Sequence, residues 1–210
     1  MQLYFVHPPE LLKCLYPGNL IWDIPQRENE PPAVYITFDD GPHITATPYV
    51  LEQLKAYNAR ATFFCIGKNI RQHPDLYRQI LAEGHGTGNH TQTHMNGWKT
   101  KTEHYLENIQ EAAQLISSKA FRPPYGRIRL KQARALTEAG YRIYMWDVLS
   151  ADFDTSISPE QCWAHIAEHL KPGSILVFHD SAKAWERMQY ALPKTLALCK
   201  EKGWAMRALP

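Results

Sequence analysis

No stretch of the 210-residue chain approaches the roughly 18 consecutive apolar residues that a bilayer-spanning helix needs, so no transmembrane segment is expected. The opening residues include HPPELLKCLYPGNLIWDIP, which prolines interrupt and which has no apolar run of signal-peptide length. If Met1 is the native start, the chain stays in the cytoplasm. Clustered charge is missing as well. The 23 Lys and Arg residues are dispersed among 21 Asp and Glu for a net charge of +2, leaving no basic run to follow a phosphate backbone. Nucleic acid is therefore not expected as a partner. Cysteine is scarce: Cys14, Cys65, Cys162 and Cys199 lie far apart and form no CxxC pair. That argues against a structural zinc ribbon or a thioredoxin-like centre and leaves reduced, mostly buried thiols. Internal repeats, low-complexity tracts and linkers are also lacking.

What remains is the composition of an ordinary globular chain, 44% hydrophobic and long enough to bury one substantial core. Short apolar or β-branched runs alternate with segments of helical period. The runs are 33–38, 61–66, 84–89, 119–124, 141–146, 174–179 and 204–209, and helices are expected near 46–58, 70–83, 103–118, 130–139, 159–170 and 185–202. Ser158 and Pro159 form a helix start, a cap followed by a proline in the first turn. Alternation of this kind argues for βα units and a parallel sheet, because parallel neighbours need a crossover and a helix supplies it. An open doubly wound sheet and a closed barrel both fit the pattern. Residues 1–32 read as an N-terminal extension packed on the remainder, with a strand at LIWDI, and 33–210 as one domain.

Within this pattern YITFDDGP, residues 35–42, places two aspartates side by side at the end of a strand. Asp, Gly and Pro are ordinary turn residues, and alone the stretch reads as a solvated turn. The other unusual polar residues fall at strand ends too: His90 and His94 after the third run, Arg122 and Tyr125 at the fourth, Asp152 after the fifth, and His179 with Asp180 after the sixth. Carboxyl ends of strands are where α/β folds gather their sites. HTQTH spaces two imidazoles four residues apart, and an aspartate from another strand end completes a two-histidine, one-carboxylate set that suits zinc or a similar divalent ion and leaves positions open. Adjacent aspartates reach one site only if the strand has ended, and Gly41 and Pro42 end it. Their repulsion is removed if a cation takes Asp40 and Arg122 takes Asp39.

In order along the chain, TFDDGP (37–42), HTQTH (90–94), RPPYG (122–126), WDVLSADF (146–153) and ILVFHD (175–180) make the sequence resemble the polysaccharide deacetylases, the carbohydrate esterases of the NodB-homology fold. The resemblance implies an α/β fold, a distorted (β/α)7 barrel, and a metal-dependent hydrolase that removes acetyl groups from N-acetylated, or sometimes O-acetylated, sugars. It makes Asp39 the catalytic base and Asp40, His90 and His94 the ligands of a divalent metal, zinc first and cobalt or another ion next. Arg122 then orients Asp39, the Tyr125 backbone N–H contributes to the oxyanion hole, and His179 is the general acid, tuned by Asp152. Two positions depart from the pattern: Leu149 stands where an aspartate is common and Phe153 where a tryptophan is. The implied partner is an N-acetylated carbohydrate. A glycosidase would use the paired carboxylates but leaves the histidines idle. An O-acetyl esterase on glycans such as xylan, and a sugar-binding pseudoenzyme, are the alternatives. His43, beside the DDGP turn, is a candidate for the mouth of the site, and Trp98 for stacking on a sugar.

Overall fold

A computed structural model describes residues 4–15 and 20–210. In chain order the elements are α1 (Glu10–Leu15), β1 (Leu20–Ile21), β2 (Ala33–Asp39), α2 (Ala46–Ala56), β3 (Thr62–Cys65), α3 (Gly67–Gln72), α4 (Pro74–Ala82), β4 (Gly86–Asn89), α5 (Thr102–Ala113), β5 (Ala120–Phe121), α6 (Leu130–Glu138), β6 (Arg142–Tyr144), β7 (Val148–Leu149), α7 (Pro159–His169), β8 (Ile175–His179), α8 (Trp185–Glu201) and β9 (Ala205–Met206). The strands pair in the order β1-β6-β5-β4-β3-β2-β8-β7, with β9 on β2, and each of these pairs is parallel. They curl into a half-barrel wrapped by helices.

The centre of the curl is β2, whose seven residues AVYITFD are all buried. A strand covered on both faces has no solvent side, which is why it reads as a continuous apolar run rather than an alternation. Phe38 stacks between Phe63 at 5.1 Å and Phe178 at 5.9 Å, tying β2 to β3 and β8. The helices bury one stripe each against this sheet, as in α7, where Cys162 and Ile166 face inward. Ser158 caps α7 by accepting the Gln161 N–H, with the Gln161 side chain returning to the Ser158 backbone.

Three features differ from the sequence pattern. One helix expected over 70–83 is two, because Pro74 begins α4 and His73 before it is held out of the helical region (φ −132°, ψ 57°). The two-residue β7 lies inside the stretch read as a motif rather than a strand. Third, the helix α1 was not anticipated within the N-terminal extension, and the segment before it runs along residues 146–154. Leu149 N–H donates to the Val6 carbonyl (2.8 Å), Trp146 Nε1 to the Phe5 carbonyl (3.0 Å) and the Tyr4 hydroxyl to Asp154 Oδ2 (2.7 Å). Lys13 anchors α1 on the buried Asp147 (3.1 Å). Cys65, Cys162 and Cys199 are free and buried; the side chain of Cys14 lies outside the described residues. No helix among the described residues is long and apolar enough to cross a membrane.

Candidate active site

Sheet register assembles the site. Asp39 pairs with His179 across β2 and β8, while Cys65 pairs with Asn89 and Asn89 with Phe121 across β3, β4 and β5. The residues ending or following these strands, Asp39, Asp40, His90, Arg122 and His179, therefore emerge together at one rim, joined by His94 and Tyr125 from the loops. All of them line one pocket of about 260 Å³. Asp152 sits behind His179, fully buried.

The neighbouring aspartates are separated by backbone geometry. Asp39 is still in the strand and accepts from Arg122 Nη1 at 2.8 Å. Asp40 is past the strand with φ +78°, a left-handed conformation that breaks the alternation and brings its carboxylate to the same pocket. Gly41 is required just beyond, because a Cβ there would overlap the Asp180 carboxylate. Asp180 in turn accepts the Thr47 hydroxyl (2.5 Å) beneath the turn.

Arg122 is 1% exposed and fully engaged: besides Asp39 it donates to the Thr37 hydroxyl (2.6 Å) and to the carbonyls of Met145 (2.9 Å) and Tyr144 (3.3 Å). Its guanidinium carbon also lies 4.2 Å from the centre of the Phe64 ring. A planar fork with that many fixed partners holds Asp39 in one orientation.

Asp40, His90 and His94 bring one ligand atom each within 4.8 Å of one another, the only such group among the described residues. His90 Nδ1 donates to the Arg122 carbonyl (2.8 Å), which leaves the Nε2 lone pair facing Asp40 Oδ1 at 3.7 Å. His94 Nε2 lies 3.2 Å from the same oxygen, and its Nδ1 is 3.1 Å from the Tyr125 hydroxyl. Yet Asp40 Oδ1 is buried and accepts no well-formed hydrogen bond. An orphaned carboxylate oxygen opposed by an imidazole lone pair fits a divalent cation, so these three residues could hold a metal. Burial pushes the His90 imidazole down to about 4, keeping it neutral and able to ligate. Burial alone would raise the Asp40 carboxyl, but His94, His179 and His90 outweigh it and hold it well below the usual range.

His179 is governed by Asp152. Its Nδ1 lies 2.7 Å from Asp152 Oδ1, its backbone N–H donates to Oδ2 (2.8 Å), and Arg187 fixes the Asp152 carbonyl (2.7 Å). Burial would lower the imidazole, but the Asp152 carboxylate, helped by Asp40 and Asp39, overrides this and lifts it to about 9. Tyr125 has φ +61° and lines the pocket.

The two positions that depart from the common pattern, Leu149 and Phe153, both line the pocket, and the Phe153 ring stands edge-on to His179 at 5.1 Å. His43 does not line the pocket: its Nδ1 accepts the N–H groups of Thr45 and Ala46 (3.2 Å each) at the start of α2. Trp98 is likewise outside the lining; its indole donates to the Ile128 carbonyl (3.1 Å) and its ring carries Arg127, which is in it. Sequence reasoning missed Tyr4, Trp146 and Lys183 as pocket residues. Only tertiary packing brings them there.

A family model described as polysaccharide deacetylase matches residues 26–144. A peptidoglycan-N-acetylglucosamine deacetylase of Bacillus cereus is 33% identical over 193 residues, 89% of each chain. A chitooligosaccharide deacetylase of Azorhizobium caulinodans is 31% identical over 200 residues, 85% of this chain and 93% of its own. The crystal structure of a peptidoglycan N-acetylglucosamine deacetylase in complex with 4-naphthalen-1-yl-N-oxidanyl-benzamide superposes with a TM-score of 0.84 at 31% identity, over 91% of both chains.

Proposed function

The chain belongs to the polysaccharide deacetylase family, and from that premise we propose that it hydrolyses the acetamido group of N-acetylated sugars, releasing acetate and a free amino sugar. The observation that carries this reading is the convergence on one pocket of a carboxylate, a triad that could hold a metal and a histidine whose pKa is raised. The three supply what amide hydrolysis requires, because attack requires an activated nucleophile, the carbonyl oxygen takes up charge, and the amine is a poor leaving group unless protonated.

Asp40, His90 and His94 would hold the ion, which we assign as zinc, with cobalt or another divalent cation as a substitute. When bound, such an ion supplies Lewis-acid polarisation and a lowered water pKa. Asp39, held by Arg122 through Oδ1, takes the proton of the attacking water. The Tyr125 N–H receives the developing oxyanion, a donor typically worth about 3 kcal/mol of barrier. His179, with Nδ1 committed to Asp152, delivers the Nε2 proton to the departing nitrogen. At neutral pH the raised imidazole is charged and the proton is in place.

Acetate release from chitooligosaccharides measured beside release from acetylated xylan tests the assignment. Turnover of the first supports the amide reading. Turnover of xylan esters alone makes the protein an O-acetyl esterase, and no release from a broad panel of acetylated glycans, with zinc or cobalt supplied, makes it a sugar-binding pseudoenzyme.

A further inference from the structure

The two histidines of the triad are oriented from one short segment, residues 122–126, by groups of different kinds. The Arg122 carbonyl accepts the Nδ1 proton of His90 at 2.8 Å, a backbone contact that no change of side chain removes. His94 is held by a side chain instead: its Nδ1 lies 3.1 Å from the Tyr125 hydroxyl, and the two rings pack with centres 4.5 Å apart. His90 is buried, whereas the His94 side chain is 26% exposed and follows a backbone turned into the left-handed region at φ +58°, so packing alone does not fix its ring. The segment that offers the hydroxyl is stiff. Pro123 and Pro124 each lock φ, and the N–H groups of Gly126 and Arg127 close turns on their carbonyls at 3.0 and 3.1 Å.

This inference rests on the metal assignment given above. A neutral imidazole carries one N–H, so for Nε2 of His94 to offer its lone pair beside Asp40 Oδ1, the proton sits on Nδ1 and the phenol oxygen accepts it. A partner of that kind selects the tautomer, sets the ring angle and strengthens the nitrogen as a ligand. We infer that the Tyr125 hydroxyl is a positioning group that holds His94 ready for the ion, a task of the side chain separate from that of the Tyr125 backbone. Residues 122–126 then set three members of the site at once: Asp39 through the Arg122 guanidinium, His90 through the Arg122 carbonyl and His94 through the phenol.

Two measurements on the full chain test this: zinc affinity by competition with a chromophoric chelator, and the imidazole N–H signals of the zinc-loaded protein carrying isotope-labelled histidine. Tyr125→Phe keeps the ring and the peptide group and removes only the hydroxyl. It is expected to weaken zinc binding about tenfold, the smaller end of what an outer partner of a ligand contributes. The His94 Nδ1–H signal, sheltered by the phenol in the unmodified protein, should be lost to solvent exchange in the variant while that of His90 persists. A general loosening of the fold would remove both. Tyr125→Asn, a residue type at ease at φ +61°, removes ring and hydroxyl together and should weaken zinc at least as much; it carries the test if Tyr125→Phe does not fold. Zinc affinity unchanged to within about twofold, a His94 signal that survives, or loss of both imidazole signals overturns the inference and leaves the metal assignment standing. An unmodified protein that binds no zinc overturns both.

Discussion

The imidazole of His179 and the carboxylate of Asp152 meet at 2.7 Å, and the second carboxylate oxygen accepts the His179 backbone N–H at 2.8 Å, so one buried acid fixes both the ring and the strand end that carries it. Asp152 outweighs burial to raise the imidazole to about 9. A raised histidine is protonated below that value and loses its proton as pH climbs through it. Turnover should therefore persist through neutral pH and fall off on an alkaline limb near 9. Asp152→Asn should move that limb to lower pH, and His179→Ala should lower kcat by about 10²- to 10⁴-fold, the usual reach of a general acid. A pH–rate profile of both variants checks this.

Arg122 and Asp39 are a buried ion pair, and removing one partner leaves the other charge uncompensated. Arg122→Met should cost about 3–5 kcal/mol of stability, read by denaturant unfolding, as well as activity. Arg122→Lys should not restore turnover, because a point charge cannot reproduce contacts to Asp39, Thr37 and two carbonyls.

Asp39 and the triad should separate cleanly by metal content. Asp39→Asn is expected to abolish turnover with the metal still bound, whereas His94→Ala loses metal and turnover together. Elemental analysis of the dialysed variants beside acetate assays reports both.

Gly126 has φ +65°, and a Cβ there would overlap the Trp146 ring. Gly126→Ala should destabilise the protein by about 1–3 kcal/mol, the cost of a left-handed non-glycine residue, and lower kcat by displacing the adjacent Tyr125 N–H. A thermal melt and a kinetic assay measure the two effects.

The strand ends at Asp39 and His179 were legible because each closes a buried apolar run, and parallel register sets the two opposite one another; His90 instead follows GTGN, a strand with no apolar signal of its own, placed by its pairing with β3. Pro74 likewise announces the break between α3 and α4, although periodicity alone runs through it. The wall formed by Tyr4 was not legible. Its partner Asp154 is 150 residues away, and neither lies in a periodic element, so only packing of the N-terminal segment on β7 brings them together. His43 shows the converse: a histidine beside the DDGP turn is used by the backbone at the start of α2, whose Thr45 and Ala46 N–H groups donate to its Nδ1. Trp98 is drawn away from the pocket in the same manner, by the Ile128 carbonyl.

The central claim is that the ion held by Asp40, His90 and His94 is needed for removal of an acetyl group from an N-acetylated sugar. Acetate released from chitopentaose by chelator-treated protein, followed as zinc is added back, tests it most directly. The account predicts no release without metal and full recovery near one equivalent of zinc. Release at an undiminished rate in the chelator, or recovery that persists in His94→Ala at stoichiometric zinc, would contradict it.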